Sequence, residues 1–114
     1  MMQIVYKLLR KSEWEQAQRS GSFSGSADDR RDGFIHLSAP DQVRGTFNKY
    51  FADEPGPVLL AFDAESLGPA LKWEISRGGQ LFPHFYGVLD MAQPLSVFQI
   101  PCEAGTAIFP PEIL

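Results

Sequence analysis

The stretch Asp32-Gly33-Phe34-Ile35-His36-Leu37-Ser38 narrows the choice of fold more than any other in this chain. Asp-Gly marks a turn, because glycine accepts positive φ without steric cost. The apolar residues that follow read as a short strand, with side chains alternating between its two faces. Phe34, His36 and Ser38 then share one face, and Ile35 and Leu37 share the other. A histidine in such a strand is at least half buried, so its ring nitrogens need partners. It is either a core ring tied to backbone or a group aimed at a ligand. Two later stretches, Lys72-Trp73-Glu74 and Phe82-Pro83-His84-Phe85-Tyr86-Gly87, also set polar side chains among aromatics and favour a site.

The rest of the chain supplies a frame for that strand. Gln3 to Leu9 is rich in β-branched and aromatic residues and is expected to be a strand. Ser12-Glu13-Trp14-Glu15 has the form of a capping box and opens a helix to about Arg19, with Trp14 and Ala17 or Gln18 facing inward. Ser20 to Asp32 mixes Ser, Gly and charge and is expected to be an irregular, mobile rim. Ser38-Ala39-Pro40-Asp41 begins a second helix with Ser38 as its N-cap. Val43, Phe47, Tyr50 and Phe51 form its apolar stripe. Strands are expected over Val58 to Asp63, Leu71 to Ile75, Leu81 to Leu89 and Ser96 to Ile100. Pro83 implies a sheet edge or a bulge. The tail from Gly105 to Leu114 is expected to lie extended over the body. This order reads as α+β, with five or six strands in a mixed or antiparallel sheet and two or three short helices.

At 114 residues the chain is expected to be a single domain spanning 1–114. A formal net charge of -4 argues against a general nucleic-acid or anionic-membrane surface, since both need clustered Lys and Arg. The basic clusters are Lys7 to Lys11 and Arg30-Arg31, and the second is neutralised by Asp28, Asp29 and Asp32. Cys102 is the only cysteine, which excludes an intramolecular disulfide and thiolate-rich zinc sites. No apolar run is long enough to be a signal peptide or to span a membrane, so the expected location is the cytoplasm.

Few side chains are suited to chemistry. The two histidines, His36 and His84, both lie in aromatic-rich strands. Glu74 shares a face with Lys72 and Ser76, opposite Trp73 and Ile75. Its site role is weighed against a solvent-facing row. Structural readings stand beside the others: His84 as a ring bonded to backbone next to Pro83, and Ser38 as a helix cap that adjoins an anion site. Two histidines and a carboxylate also suit a non-haem iron or zinc centre. His36, His84 and Glu74 come from separate strands without local ligand spacing, however, and no metal is expected to be required. All three are expected to border one concave site, because an unpaired polar group among aromatics is costly.

Tyr6-Lys7, Trp14, the Asp32–Ser38 stretch, Leu71-Lys72-Trp73-Glu74 and Phe82 to Gly87 together resemble the small bacterial proteins of the domain-of-unknown-function family 952. The resemblance covers about Ile4 to Pro101. It implies a fold related to the ADP-ribosyltransferase superfamily, a split mixed sheet that grips a nicotinamide dinucleotide in a cleft. By that resemblance His36 is a ribose-binding strand histidine followed by the hydroxyl residue Ser38. Tyr86 or Tyr50 is the aromatic that stacks on nicotinamide, and Glu74 is the acid. The transferases' acid sits in a later strand than Glu74, so the chain is compatible with a cleft that lacks the reaction. Glu74 and His84 stand as catalytic candidates, and His36, Ser38, Lys7 and Tyr86 as ligand-binding ones. NAD is the candidate substrate, no cofactor is expected to be required, and a monomer or small homo-oligomer is expected. Two function classes remain: a nucleotide-binding transferase of ADP-ribose or a 2'-phosphate, and a non-catalytic binding or interaction module on the same scaffold.

Overall fold

The computed structural model describes residues 2–103, 106–111 and 113. In chain order the elements are β1 (Ile4–Leu9), α1 (Lys11–Ser20), β2 (Ser22–Phe23), α2 (Ala27–Asp32), β3 (Ile35–His36), α3 (Val43–Tyr50), β4 (Val58–Asp63), α4 (Ala64–Leu67), β5 (Leu71–Ile75), β6 (Leu81–Phe85), β7 (Leu89–Asp90), β8 (Ser96–Gln99), β9 (Cys102–Glu103) and β10 (Thr106–Ala107). The class is α+β, and every strand pairing is antiparallel. Two three-stranded sheets, β1-β4-β8 and β3-β6-β5, carry the architecture. Among the described residues they are linked by one bridge, in which Tyr6 and Ser38 exchange both backbone hydrogen bonds at 2.8 Å.

The alternation of β1 and β4 buries both of their faces. Val5, Leu9, Val58, Leu60 and Phe62 pack against Ile35, Leu37 and Phe85 of the other sheet, with Ala17 and Leu89. Tyr6, Leu8, Leu59 and Ala61 pack against Val43, Phe47 and Phe51, and against Ile100 and Ile113. Fully buried side chains such as Leu9, Leu60 and Phe62 each contribute about 1.5–3 kcal/mol of apolar burial. Lys7 lies on the first of these faces, two residues from Val5 and from Leu9, and is itself buried. Trp14 and Trp73 pack on the same cluster, whereas Ile75, at the end of β5, is 69% exposed.

Four expectations are corrected by local chemistry. The first helix starts earlier than the Ser12 motif suggests: Glu13 Oε1 accepts from the Arg10 N–H at 2.8 Å and closes the first turn from there. Ser38 does not cap a helix, because its backbone is committed to Tyr6; α3 begins at Val43 after Gln42. The supposed rim contains β2 and a capped helix. In α2, Ser26 Oγ accepts from the Asp29 N–H, Asp29 Oδ2 accepts from the Ser26 N–H, and Gly33 at φ 88° ends the helix. Pro83 sits in β6, the central strand of its sheet, rather than at an edge. Its carbonyl accepts from the Leu37 N–H at 3.0 Å, and the ring forbids the reciprocal bond that an antiparallel pair would make. On the other side Pro83 faces Trp73, while the ladder bonds fall on neighbouring residues, such as Tyr86 N–H to the Ala70 carbonyl. Pairing of β3 with β6 therefore ends on that single Leu37–Pro83 bond, and Ser38 turns to β1. In the tail, residues 105, 112 and 114 lie outside those described; Phe109 meets Phe47 edge-on, with ring centroids 5.3 Å apart, and Ile113 is buried.

Candidate functional site

Register brings three rows of side chains onto one face of the β3-β6-β5 sheet. His36 pairs with His84, Lys72 with His84, and Glu74 with Phe82. The polar rows expected from alternation in three separate strands thus converge. Phe34 links them: its ring stacks on His84 with centroids 4.0 Å apart at 25°, and lies 4.7 Å from His36 and 5.3 Å from Tyr86. The two histidine rings are 5.6 Å apart, edge to face.

A cleft of about 150 Å³ opens between this face, β1, α2 and α3. Lys7, Asp29, His36, Ser38, Arg77 and His84 are among its lining residues, and Tyr50 stands at its rim. Glu74 and Tyr86 lie behind His84 rather than in the wall.

Asp29 is the hub of one end. It is buried, and its carboxylate accepts from Lys7 Nζ at 3.0 Å, His36 Nδ1 at 2.6 Å, and the backbone N–H groups of Ser26 and His36 at 2.9 and 3.1 Å. Burial pushes this carboxyl up, but the His36 hydrogen bond, the Lys7 charge and the two backbone donors together hold it far below the usual carboxylate range. Lys7 Nζ also donates to the His36 carbonyl at 3.1 Å. The second ring nitrogen of His36 lies 3.0 Å from Asp32 Oδ2. Asp32 in turn pairs with Arg31, whose hydrogen bond pulls the Asp32 carboxyl below its ordinary value. His36 was expected to offer a nitrogen to a ligand; both of its nitrogens already meet carboxylates.

The other end is built differently. His84 Nδ1 lies 2.8 Å from Glu74 Oε1, which also accepts from the Tyr86 hydroxyl at 2.7 Å. The Tyr86 and His84 hydrogen bonds lower the Glu74 carboxyl, and the same bond to Glu74 raises the Tyr86 phenol. A carboxylate on Nδ1 assigns the hydrogen of the neutral ring there, and in that form Nε2 is an acceptor. Nε2 is buried and has no hydrogen-bond partner among the described residues.

Ser38 Oγ and Thr46 Oγ1 lie 3.1 Å apart, and Arg77 Nη2 donates to Thr46 Oγ1 at 3.1 Å. Sequence reasoning missed Asp29, Thr46 and Arg77 as cleft residues. Ser26-x-x-Asp29 with Gly33 beyond it was a legible helix signal; the approach of Arg77 to Thr46 left no mark on the sequence. Among the described residues no group of three His, Cys, Asp or Glu side chains is arranged to hold a metal ion. No helix among them is long and apolar enough to cross a membrane.

The fold and site thus define an α+β protein with a polar, histidine-lined cleft between two antiparallel sheets. Residues 8–97 match the family described as protein of unknown function (DUF952), and the chain belongs to that family. It is similar to protein CC0527 from Caulobacter crescentus. The crystal structure of that protein is 44% identical over 91% of each chain, with a TM-score of 0.86. Its solution NMR structure is 44% identical over 91% of this chain and 90% of that one, with a TM-score of 0.81. Among curated proteins none matches the chain.

Proposed function

We propose that the cleft binds a nucleotide-type small molecule, a nicotinamide dinucleotide or ADP-ribose, on an ADP-ribosyltransferase-like scaffold. The resemblance implies a split mixed sheet; the split into two three-stranded sheets supports that scaffold, while the described strand pairings are all antiparallel. The observation that carries the ligand reading is His84 Nε2. A buried acceptor without a partner costs roughly 1–3 kcal/mol. Here the ring is locked by Glu74 and Phe34 in the wall of a cleft, where a ligand hydroxyl or amide satisfies it. Glu74 acts in this reading as a positioning residue, fixing the tautomer and the ring plane. His36 braces Asp29 and Asp32 and presents its half-exposed ring, while Lys7 and Ser38 form the floor. At about 150 Å³ the cleft takes one ring or a ribose phosphate, below the roughly 300–1,000 Å³ of a site that engulfs a whole ligand. The remainder of a dinucleotide lies outside, toward Tyr50.

One observation favours the non-catalytic form of this reading. Cleavage of a ribose–nicotinamide bond builds positive charge that a free carboxylate must offset. Every carboxylate in the cleft wall, Glu13, Asp28, Asp29 and Asp32, is already paired with a cation or with His36. Thermal denaturation with NAD, ADP-ribose, nicotinamide and adenosine tests binding. At a hundredfold its dissociation constant a ligand stabilises by about 2.7 kcal/mol. His84→Asn, which keeps a donor near Nδ1 and removes Nε2, is expected to weaken the effective ligand about tenfold, the value of one good hydrogen bond. If no adenine or nicotinamide compound shifts the melting temperature of the unaltered protein, the nucleotide reading falls.

A further inference from the structure

We infer that the corner of the cleft formed by Arg77, Thr46 and Ser38 is a subsite for a phosphate group carried by a small molecule. The inference deepens the ligand reading above and fails separately from it.

The first argument is charge. The cleft is lined by Lys7, Arg10, Arg31 and Arg77. Lys7 is paired with Asp29, Arg10 with Glu13 and Glu54, and Arg31 with Asp28 and Asp32. Among the described residues Arg77 has no carboxylate within ion-pair distance; it donates to the Thr46 hydroxyl. A guanidinium in a cleft wall with its remaining N–H donors uncommitted is an electrostatic vacancy for an anion.

The second argument is preorganisation. Arg77 opens the tight turn between β5 and β6, where Gly78 and Gly79 have φ of 68° and 75° and the Ser76 N–H bonds the Gln80 carbonyl at 2.8 Å. Such positive φ at successive residues suits glycine alone. The turn lays the guanidinium over the Phe82 ring, 5.0 Å from its centroid. On the opposite side α3 presents Gly45, where a Cβ would sit 3.4 Å from Nη2. Held between an aromatic face, a hydroxyl and a bare stretch of helix, the fork has little rotamer freedom left to lose on binding. A fixed fork favours the two-point recognition that phosphate oxygens offer.

The third argument is the hydroxyl pair. Thr46 Oγ1 accepts from Arg77 and shares a hydrogen bond with Ser38 Oγ, 3.1 Å away, so one of the two hydroxyl hydrogens is left to donate. Ser38 is buried, so its hydroxyl does not wander. Two oriented hydroxyls beside a guanidinium make a neutral-plus-cation cradle suited to a phosphate ester. Phe82, beneath Arg77, and His84 are two positions apart on one strand face, about 7 Å. Arg77 and His84 both line the one cleft, so a ligand with a phosphate and a sugar or ring can engage both.

The test titrates inorganic phosphate, ribose 5-phosphate, ribose and ADP-ribose into the full chain, followed by amide chemical shifts and calorimetry. Ribose 5-phosphate is expected to bind with the largest shifts at residues 38, 46 and 77, ribose at least tenfold more weakly, and phosphate binding is expected to fall with added salt. Arg77→Gln is expected to weaken ribose 5-phosphate at least tenfold. Thr46→Val, which removes one hydroxyl at constant shape, is expected to weaken it about threefold and guards against a folding defect at Arg77. Binding of phosphate compounds that is equal in the unaltered protein and in Arg77→Gln overturns the subsite, as does no binding of ribose 5-phosphate at all. If ribose 5-phosphate binds through Arg77 and ADP-ribose binds no better than inorganic phosphate, the subsite stands and the dinucleotide reading falls. If ADP-ribose binds equally to Arg77→Gln, the subsite falls and the dinucleotide reading stands.

Discussion

The two histidines of this molecule make the same contact in opposite surroundings. In each case Nδ1 meets a carboxylate oxygen, His36 at Asp29 and His84 at Glu74. Around His36 the acid is buried, with its side chain 2% exposed, and the ring is 35% exposed. Around His84 the ring side chain is 5% exposed and the acid 40%. The inversion decides what each pair does. A buried carboxylate must collect donors to stay ionised, so Asp29 gathers Lys7, His36 and two backbone N–H groups and becomes a knot tying β1, α2 and β3 together. An exposed carboxylate is content with water, so Glu74 is free to aim a buried ring whose far nitrogen is unspent. A histidine–carboxylate pair is therefore structural or chemical according to which partner is dry.

Breaking the first pair is expected to give the largest effect. Asp29→Asn leaves the buried Lys7 ammonium without its counter-charge, and is expected to destabilise by about 3–5 kcal/mol in urea denaturation. A loss below about 1 kcal/mol would mean that the knot holds nothing. The pH dependence has a definite sign. The folded Asp29 carboxyl ionises far below its unfolded value near ~3.9, so the unfolded chain binds the extra proton. Stability from this group is fully present above that unfolded value and is lost as the pH falls through it toward the folded one. Acid titration of the unaltered protein is expected to show this slope, and Asp29→Asn to lack it.

His36→Asn is expected to cost about 1–3 kcal/mol, with or without a ligand, because Asp29 loses a donor it relies on. A substitution that left stability intact while abolishing ligand binding would move His36 into the same category as His84 and dissolve the contrast. The smallest effect belongs to the second pair. Glu74→Gln is expected to change stability by less than about 1 kcal/mol, as for other exposed charged contacts. Its signature is spectroscopic: with the Glu74 charge gone, the Tyr86 phenol is expected to ionise at lower pH than in the unaltered protein. Ultraviolet titration against a Tyr86→Phe control reads that shift. An unmoved phenol would show that Glu74 and Tyr86 do not share a proton-sensitive contact in solution.

Much of this face was legible in the sequence, because period-two alternation is a local property. Phe34, His36 and Ser38 were assigned to one side of their strand, and Lys72, Glu74 and Ser76 to one side of another; the register sets His36, His84, Lys72 and Glu74 together. The strands Val58–Asp63 and Leu71–Ile75 stand where the pattern put them. What escaped was of two kinds. Asp29 was counted only as a neutraliser of Arg30-Arg31: the Ser26-x-x-Asp29 signal was there, but a helix as short as Ala27–Asp32 carries no apolar stripe to reinforce it. Arg77 and Thr46 are 31 residues apart, and nothing in either neighbourhood encodes their meeting. The role of Ser38 was misread for a related reason. A serine before Ala-Pro-Asp has every local mark of a cap, and only a distant strand, β1, overrules it.

Pro83 has a reach well beyond its own strand. With no hydrogen on its nitrogen, it works as a stop on a zipper. The seam between β3 and β6 closes as far as the one bond from the Leu37 N–H to the Pro83 carbonyl and goes no further. The chain beyond is released to fasten onto Tyr6, and the fabric forks. The notch of that fork is the place where Ser38, Thr46 and Arg77 gather and where the cleft begins. One hydrogen missing from the backbone thus marks the point where the chain leaves one sheet for the other, beside the cleft.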